Sequence, residues 1–178
     1  MIRPRSLLPT AVAAAALALP AAAGHAAAAA PGPSRALASA YAARTYVDDP
    51  GLGRRTFALI GHSAVARAAD GTTLTAFGMV LADSGDGTGQ AVLLFDGTRF
   101  LGWGSAYEAL HLNVAASGSA VRVRYGVYRG NDPFCCPSST KTVHYRYRGG
   151  KIVADGAPPL IYGKHGPRLH LASSPTSR

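Results

Sequence analysis

The chain has 178 residues, 48% of them hydrophobic, with 18 Lys or Arg against 9 Asp or Glu and a formal net charge of +9. That apolar content excludes a wholly disordered chain and gives enough material for one packed domain. The charge excess fits either plain solubility or an anionic partner.

Met1 to Arg5 is short and basic, and Leu7 to Pro20 is apolar with the run Ala11 to Leu19 at its centre. Small residues follow, with cleavage expected after Ala23, Ala26 or Ala28. This is the three-part pattern of a secretory signal peptide. Residues 1–28 are therefore read as a cleavable signal and 29–34 as a flexible lead-in. Residues 35–172 are read as a single β-rich domain and 173–178 as a disordered tail. Pro9 and Pro20 break the apolar run, and a bilayer span takes about 20 strongly apolar residues. No transmembrane segment is expected in the mature chain. The expected location is secreted, extracellular or associated with the cell wall. In that setting the anionic partner is an envelope polymer or lipid head group, and nucleic acid is not expected.

Ser34 to Arg44 reads as a short helix, capped by Ser34, with Leu37, Ala40 and Tyr41 on one face. Beyond Pro50-Gly51 the period changes to two. Strands are expected over Phe57–Ile60, Ala64–Arg67, Thr73–Leu81, Gln90–Phe95, Thr98–Trp103, Leu110–Val114, Val121–Arg129, Thr140–Arg148 and Lys151–Ala154. Asp70-Gly71, Asp96-Gly97 and Gly149-Gly150 are suited to tight hairpin turns, so neighbours are expected to run antiparallel. The expected fold is mainly β (α+β), a single antiparallel sheet meander with a short N-terminal helix.

Charge is uneven along the chain. From Val121 onward there are ten Lys or Arg against Asp132 and Asp155. In the strand from Val121, Val121, Val123, Tyr125 and Val127 share one face, leaving Arg122, Arg124 and Tyr128 on the other. In the strand to Arg148, Val143, Tyr145 and Tyr147 share one face, leaving Thr142, His144, Arg146 and Arg148 on the other. Pairing of these strands would give an apolar, aromatic face and a cationic one. Arg122, Arg124, His144, Arg146 and Arg148 are the candidate contacts for an anionic ligand. The alternative is the solvated side of a sheet, because like charges across strands cost only a few tenths of a kcal/mol.

Cys135 and Cys136 are the only cysteines. Export implies oxidising conditions. The pair can close on itself, stay reduced, or join another chain. The first is expected, as a vicinal disulfide stapling the turn-rich loop Asn131–Ser139; a thiol-redox role is an alternative. Two adjacent thiols lack the further soft ligands that a metal needs, and no metal site is expected.

Gly61-His-Ser-Ala-Val65 begins like a nucleophile elbow, but Val65 stands where the turn requires Gly. Glu108 is the only glutamate, which leaves no paired glutamates for acid–base work. Asp83-Ser-Gly-Asp-Gly-Thr-Gly89 lacks the lysine of a phosphate loop and the terminal glutamate of a calcium loop, and reads as a turn. His62, His111, His144, His165 and His170 have no metal-binding spacing. Tyr162–Arg168 reads as a basic loop. No catalytic residue and no cofactor is expected, and an envelope-directed hydrolase is kept only as an alternative function.

From Thr73 to Pro158 the pieces have a recognisable order. A strand runs into Val80-Leu-Ala-Asp-Ser-Gly-Asp-Gly-Thr-Gly-Gln-Ala-Val-Leu-Leu-Phe95. Then come Asp96-Gly-Thr-Arg-Phe-Leu-Gly-Trp103, Val121-Arg-Val-Arg-Tyr125, Asn131-Asp-Pro-Phe-Cys-Cys-Pro-Ser138 and Val143-His-Tyr-Arg-Tyr-Arg-Gly-Gly-Lys-Ile-Val153. This resembles the LppP/LprE lipoprotein family of exported proteins from high-GC Gram-positive bacteria. The hairpin at Phe95 and the Asp132-Pro-Phe-Cys-Cys-Pro137 loop are its most specific parts. The resemblance implies a lipidated, surface-anchored protein. The sequence departs from it in having no cysteine before Cys135 to carry a lipid, so release without lipid is expected. The resemblance brings no catalytic residues. The expected function is that of a small, non-enzymatic binding or structural module of the cell envelope or medium.

Overall fold

The computed structural model describes residues 32–110, 112–133, 135–159 and 167–173. The expected signal, half of the lead-in, most of the tail, His111, His165 and most of the Tyr162–Arg168 loop lie outside the described residues.

The helix α1 spans Arg35–Arg44, and the Ser34 hydroxyl accepts the Leu37 N–H at 3.1 Å as its N-cap. Its buried residues are Ala38 and Ala42, with Tyr41 half-buried beside them, so the docking face lies one residue from the expected Leu37–Ala40–Tyr41 face. Small alanines let the helix backbone approach the sheet, while the Tyr41 ring stacks on Phe100 at 4.7 Å.

The strands are β1 (Thr45–Asp49), β2 (Gly53–Arg67), β3 (Thr73–Leu81), β4 (Gln90–Asp96), β5 (Arg99–Trp103), β6 (Asn113–Ser117), β7 (Ala120–Val127), β8 (Ser139–Arg148), β9 (Lys151–Ala154) and β10 (His170–Leu171). The fold is mainly β, with antiparallel pairing throughout. It contains two sheets where the strand pattern gave one meander: a six-stranded sheet, β10-β1-β2-β3-β4-β5, and a four-stranded sheet, β6-β7-β8-β9.

The physical reason lies in β3 and β4. Nearly every residue of Thr73–Leu81 is buried, and so is the run Ala91–Phe95. Strands apolar on both faces need cover on both. One face, with Phe77, Met79, Leu93 and Phe95, packs under α1. The other, with Leu74, Ala76, Val92 and Leu94, packs against Val121, Val123, Val143, Tyr145 and Tyr147 of the second sheet. The result is three layers: helix, sheet, sheet.

Residues 104–112 carry the chain from the first sheet to the second. Gln90 clasps this crossing. Its backbone exchanges hydrogen bonds with Ala109 at 2.8 and 2.7 Å. Its side chain accepts the Leu112 N–H at 2.7 Å and donates to the Gly87 carbonyl at 2.7 Å. The two strands expected at Phe57–Ile60 and Ala64–Arg67 are one strand, β2, with a register irregularity between Leu59 and Ser63.

Candidate functional site

The outer face of the second sheet is built by alternation. Along β7 the side chains of Val121, Val123 and Tyr125 are buried, while Arg122 and Arg124 are exposed. Along β8, Val143, Tyr145 and Tyr147 are buried; His144 and Arg146 are half-buried and Arg148 is exposed. Burial of three large side chains per strand, at roughly 1.5–3 kcal/mol each, fixes this orientation against a one-residue slip.

The register sets Arg122 opposite His144, Arg124 opposite Thr142, and Val123 opposite Val143. Toward the far edge Arg146 faces Val153 and Arg148 faces Lys151. The five sequence-selected residues therefore lie on one side of two neighbouring strands, with Lys151 extending the row. Among the described residues, no salt bridge is made by Arg122, Arg124, Arg146 or Arg148.

His144 differs from the arginines. Its ring Nδ1 lies 2.7 Å from Asp155 Oδ2, and its backbone N–H donates to Asp155 Oδ1 at 2.8 Å. The His144 backbone N–H, then its ring, holds the Asp155 carboxyl below its ordinary value. The strand pattern did not reveal this partner, because Asp155 lies just past β9 and meets His144 only through the β8–β9 register.

The loop between β7 and β8 carries a disulfide joining Cys135 to Cys136, whose Cα atoms are 3.8 Å apart, and both residues are exposed. Asp132 organises the loop. Its Oδ2 accepts the backbone N–H groups of Arg129 at 2.8 Å and Ser138 at 2.9 Å. Those bonds, Arg129 first, hold its carboxyl below the ordinary range.

The remaining sequence motifs have structural surroundings. Ser63 and His62 sit within β2, exposed, and no strand-to-helix turn forms there. Asp83 receives Arg55 on both oxygens at 3.0 Å. Asp86 Oδ1 accepts from the Ser84 hydroxyl at 2.7 Å and the Thr88 hydroxyl at 2.8 Å, closing the turn between β3 and β4. Glu108 is buried, which raises its carboxyl above the ordinary value against the opposing pull of Arg55. Among the described residues, no group of three or more His, Cys, Asp or Glu is placed to hold a metal. No helix there is long and apolar enough to cross a membrane.

The chain matches no curated protein and no solved structure. Residues 69–150 take in β3 through β8, including the cationic strands and the Cys135-Cys136 loop. That span is matched by the model of the LppP/LprE lipoprotein family, the same family that its residues resemble.

Proposed function

We propose that this protein is an exported, non-enzymatic β module of the cell envelope that binds anionic envelope polymer or lipid head groups. The observation that carries the reading is the row of Arg122, Arg124, Arg146 and Arg148 on one side of β7 and β8, with no salt bridge to any of them among the described residues. A guanidinium that makes no salt bridge is available to carboxylate or phosphate. Support for the envelope setting comes from the lipoprotein-family match, from the basic and apolar N-terminus, and from the disulfide, which belongs to an oxidising compartment.

The test is binding of the whole chain to anionic and to neutral lipid vesicles, and to purified wall polymer, over a range of salt. Each arginine near an anionic surface contributes about 1 kcal/mol, so changing all four to Ser weakens binding by roughly several hundredfold. Equal binding by both proteins removes the reading.

A second reading, thiol exchange at Cys135-Cys136, draws on the exposure of both cysteines. Reduction that changes neither binding nor any exchange with a dithiol substrate removes it.

A further inference from the structure

The cationic face runs on into a cavity at the end of β8. About 370 Å³ in volume, it is bounded by Ala68, Ala69 and Asp70 of the β2–β3 turn, Ser119 of the β6–β7 turn, and Arg146, Tyr147 and Arg148 of β8. Both sheets thus contribute walls. The volume sits near the lower end of the roughly 300–1,000 Å³ usual for small-molecule sites.

Its chemistry is divided between two charges that do not neutralise each other. Arg146 and Arg148 are two residues apart on one strand and share its outer side. Asp70 Oδ1 accepts from the Thr72 N–H at 3.0 Å and the Thr72 hydroxyl at 2.6 Å. Those bonds, the hydroxyl's first, keep the Asp70 carboxyl below its ordinary value, so it is ionised at neutral pH. No salt bridge joins Asp70 to either arginine. Asp70 Oδ2 and both guanidinium groups have no hydrogen-bond partner among the described residues.

A ligand that fits must present an anion to one wall and donors to the other. Bare phosphate would use the arginines but meet the Asp70 charge. A neutral polyol would use Asp70 and leave the guanidinium groups unmatched. A phosphate ester carrying neighbouring hydroxyls satisfies both walls. We infer that this cavity binds a polyol phosphate, with Arg146 and Arg148 on the phosphate and Asp70 accepting from the hydroxyls. The inference rests on the proposed envelope-binding face and names the ligand class at one end of it.

The test is calorimetric titration of the full chain with glycerol 3-phosphate, inorganic phosphate and glycerol. Glycerol 3-phosphate is expected to bind at least about tenfold tighter than inorganic phosphate, the ratio that about 1.4 kcal/mol gives. Arg146→Ser and Arg148→Ser should each weaken it by about tenfold. Asp70→Asn keeps an acceptor for Thr72 and should abolish the preference between the two phosphates; Asp70→Ser, which also keeps an oxygen in the turn, should do the same. Equal affinity of the wild-type chain for both phosphates overturns the inference, as does a preference that survives in Asp70→Asn. An Arg122→Ser/Arg124→Ser variant separates this from the wider face, since both residues lie outside the cavity. It should keep glycerol 3-phosphate binding whether or not it still binds vesicles. Phosphatidylglycerol vesicles and soluble poly(glycerol phosphate) are then used as competitors. Displacement by the first assigns a lipid head group and by the second a wall polymer, and displacement by neither overturns the envelope assignment of the ligand.

Discussion

Tyr125 and Tyr145 place their hydroxyls 2.6 Å apart in the core between the sheets, and the Tyr145 hydroxyl donates to the Gly104 carbonyl at 2.6 Å. The register pairs Tyr125 with Lys141 and Tyr145 with Val121, so the two rings converge from positions four residues out of step. Tyr145 has one proton and gives it to Gly104; Tyr125 must therefore donate to Tyr145. The chain pins the start of the crossing between sheets, where Gly104 also donates to Val92 at 2.9 Å. It holds in place the apolar side of the strands whose other side is cationic.

The direction of that chain makes the two tyrosines unequal. Tyr145→Phe strands both the Tyr125 hydroxyl and the Gly104 carbonyl, each buried polar group costing about 1–3 kcal/mol. Tyr125→Phe leaves the bond to Gly104 intact and should cost about 1 kcal/mol. Urea denaturation with unchanged m-values should show Tyr145→Phe as clearly the less stable variant.

Alkaline pH should expose the same pair. Burial pushes both phenols up, Tyr145 to about 12 from an ordinary value of 10.0. Below about pH 10 the stabilisation is fully present, since both rings are protonated in the folded and unfolded chains. Between about 10 and 12 the unfolded chain releases a proton that the folded chain keeps. Stability then falls as pH rises, by up to about 1.4 kcal/mol per unit for Tyr145. Tyr145→Phe should flatten that slope in denaturation curves measured from pH 8 to 11.

Gln90 offers a test of the two-sheet arrangement. Gln90→Ala leaves the Leu112 N–H and the Gly87 carbonyl without the partners they have at 2.7 Å each. The loss should be about 1–3 kcal/mol. Hydrogen exchange should show the Leu112 amide losing protection while the β7–β8 amides keep theirs relative to global unfolding. Unchanged exchange at Leu112 would contradict the clasp.

Reduction of Cys135-Cys136 should change stability little. A bond between adjacent residues closes almost no loop, so its effect on the unfolded chain falls well below the roughly 3 kcal/mol of a 15-residue loop. The Asp132 bonds to Arg129 and Ser138 should keep the loop in shape after reduction. Because the Asp132 carboxyl is lowered, these bonds hold above its unfolded value near 4 and are lost as pH falls through its folded value. The Arg129 and Ser138 amides report this by NMR. Loss of their shifts on reduction at neutral pH would show the disulfide, not Asp132, to be the organiser.

Local alternation was enough to read Thr73–Leu81 and Lys151–Ala154 to the residue, and to put the four arginines on one side of β7 and β8. The family resemblance, carried by the Phe95 hairpin and the Cys135-Cys136 loop, agrees with the match over residues 69–150. The second sheet was not legible, although Ala91–Phe95, apolar without alternation, signals cover on both faces. Which element supplies that cover depends on long-range packing, which no local window contains. β1 was missed because Thr45–Asp49 is short, ends in two aspartates and follows the helix without a break. β10 is two residues long, held through Tyr46 and Thr45. Asp155 was missed for a related reason: it meets His144 only through the β8–β9 register.

The most direct measurement is the salt dependence of binding to anionic vesicles, made on the wild-type chain and on a variant with Arg122, Arg124, Arg146 and Arg148 changed to Ser. Binding by the wild type should fall steeply as ionic strength rises and the screening length shortens from about 10 Å at 0.1 M toward about 3 Å at 1 M. The variant should bind weakly at every salt concentration, with little slope. Two superimposable salt curves would contradict a binding role for this face.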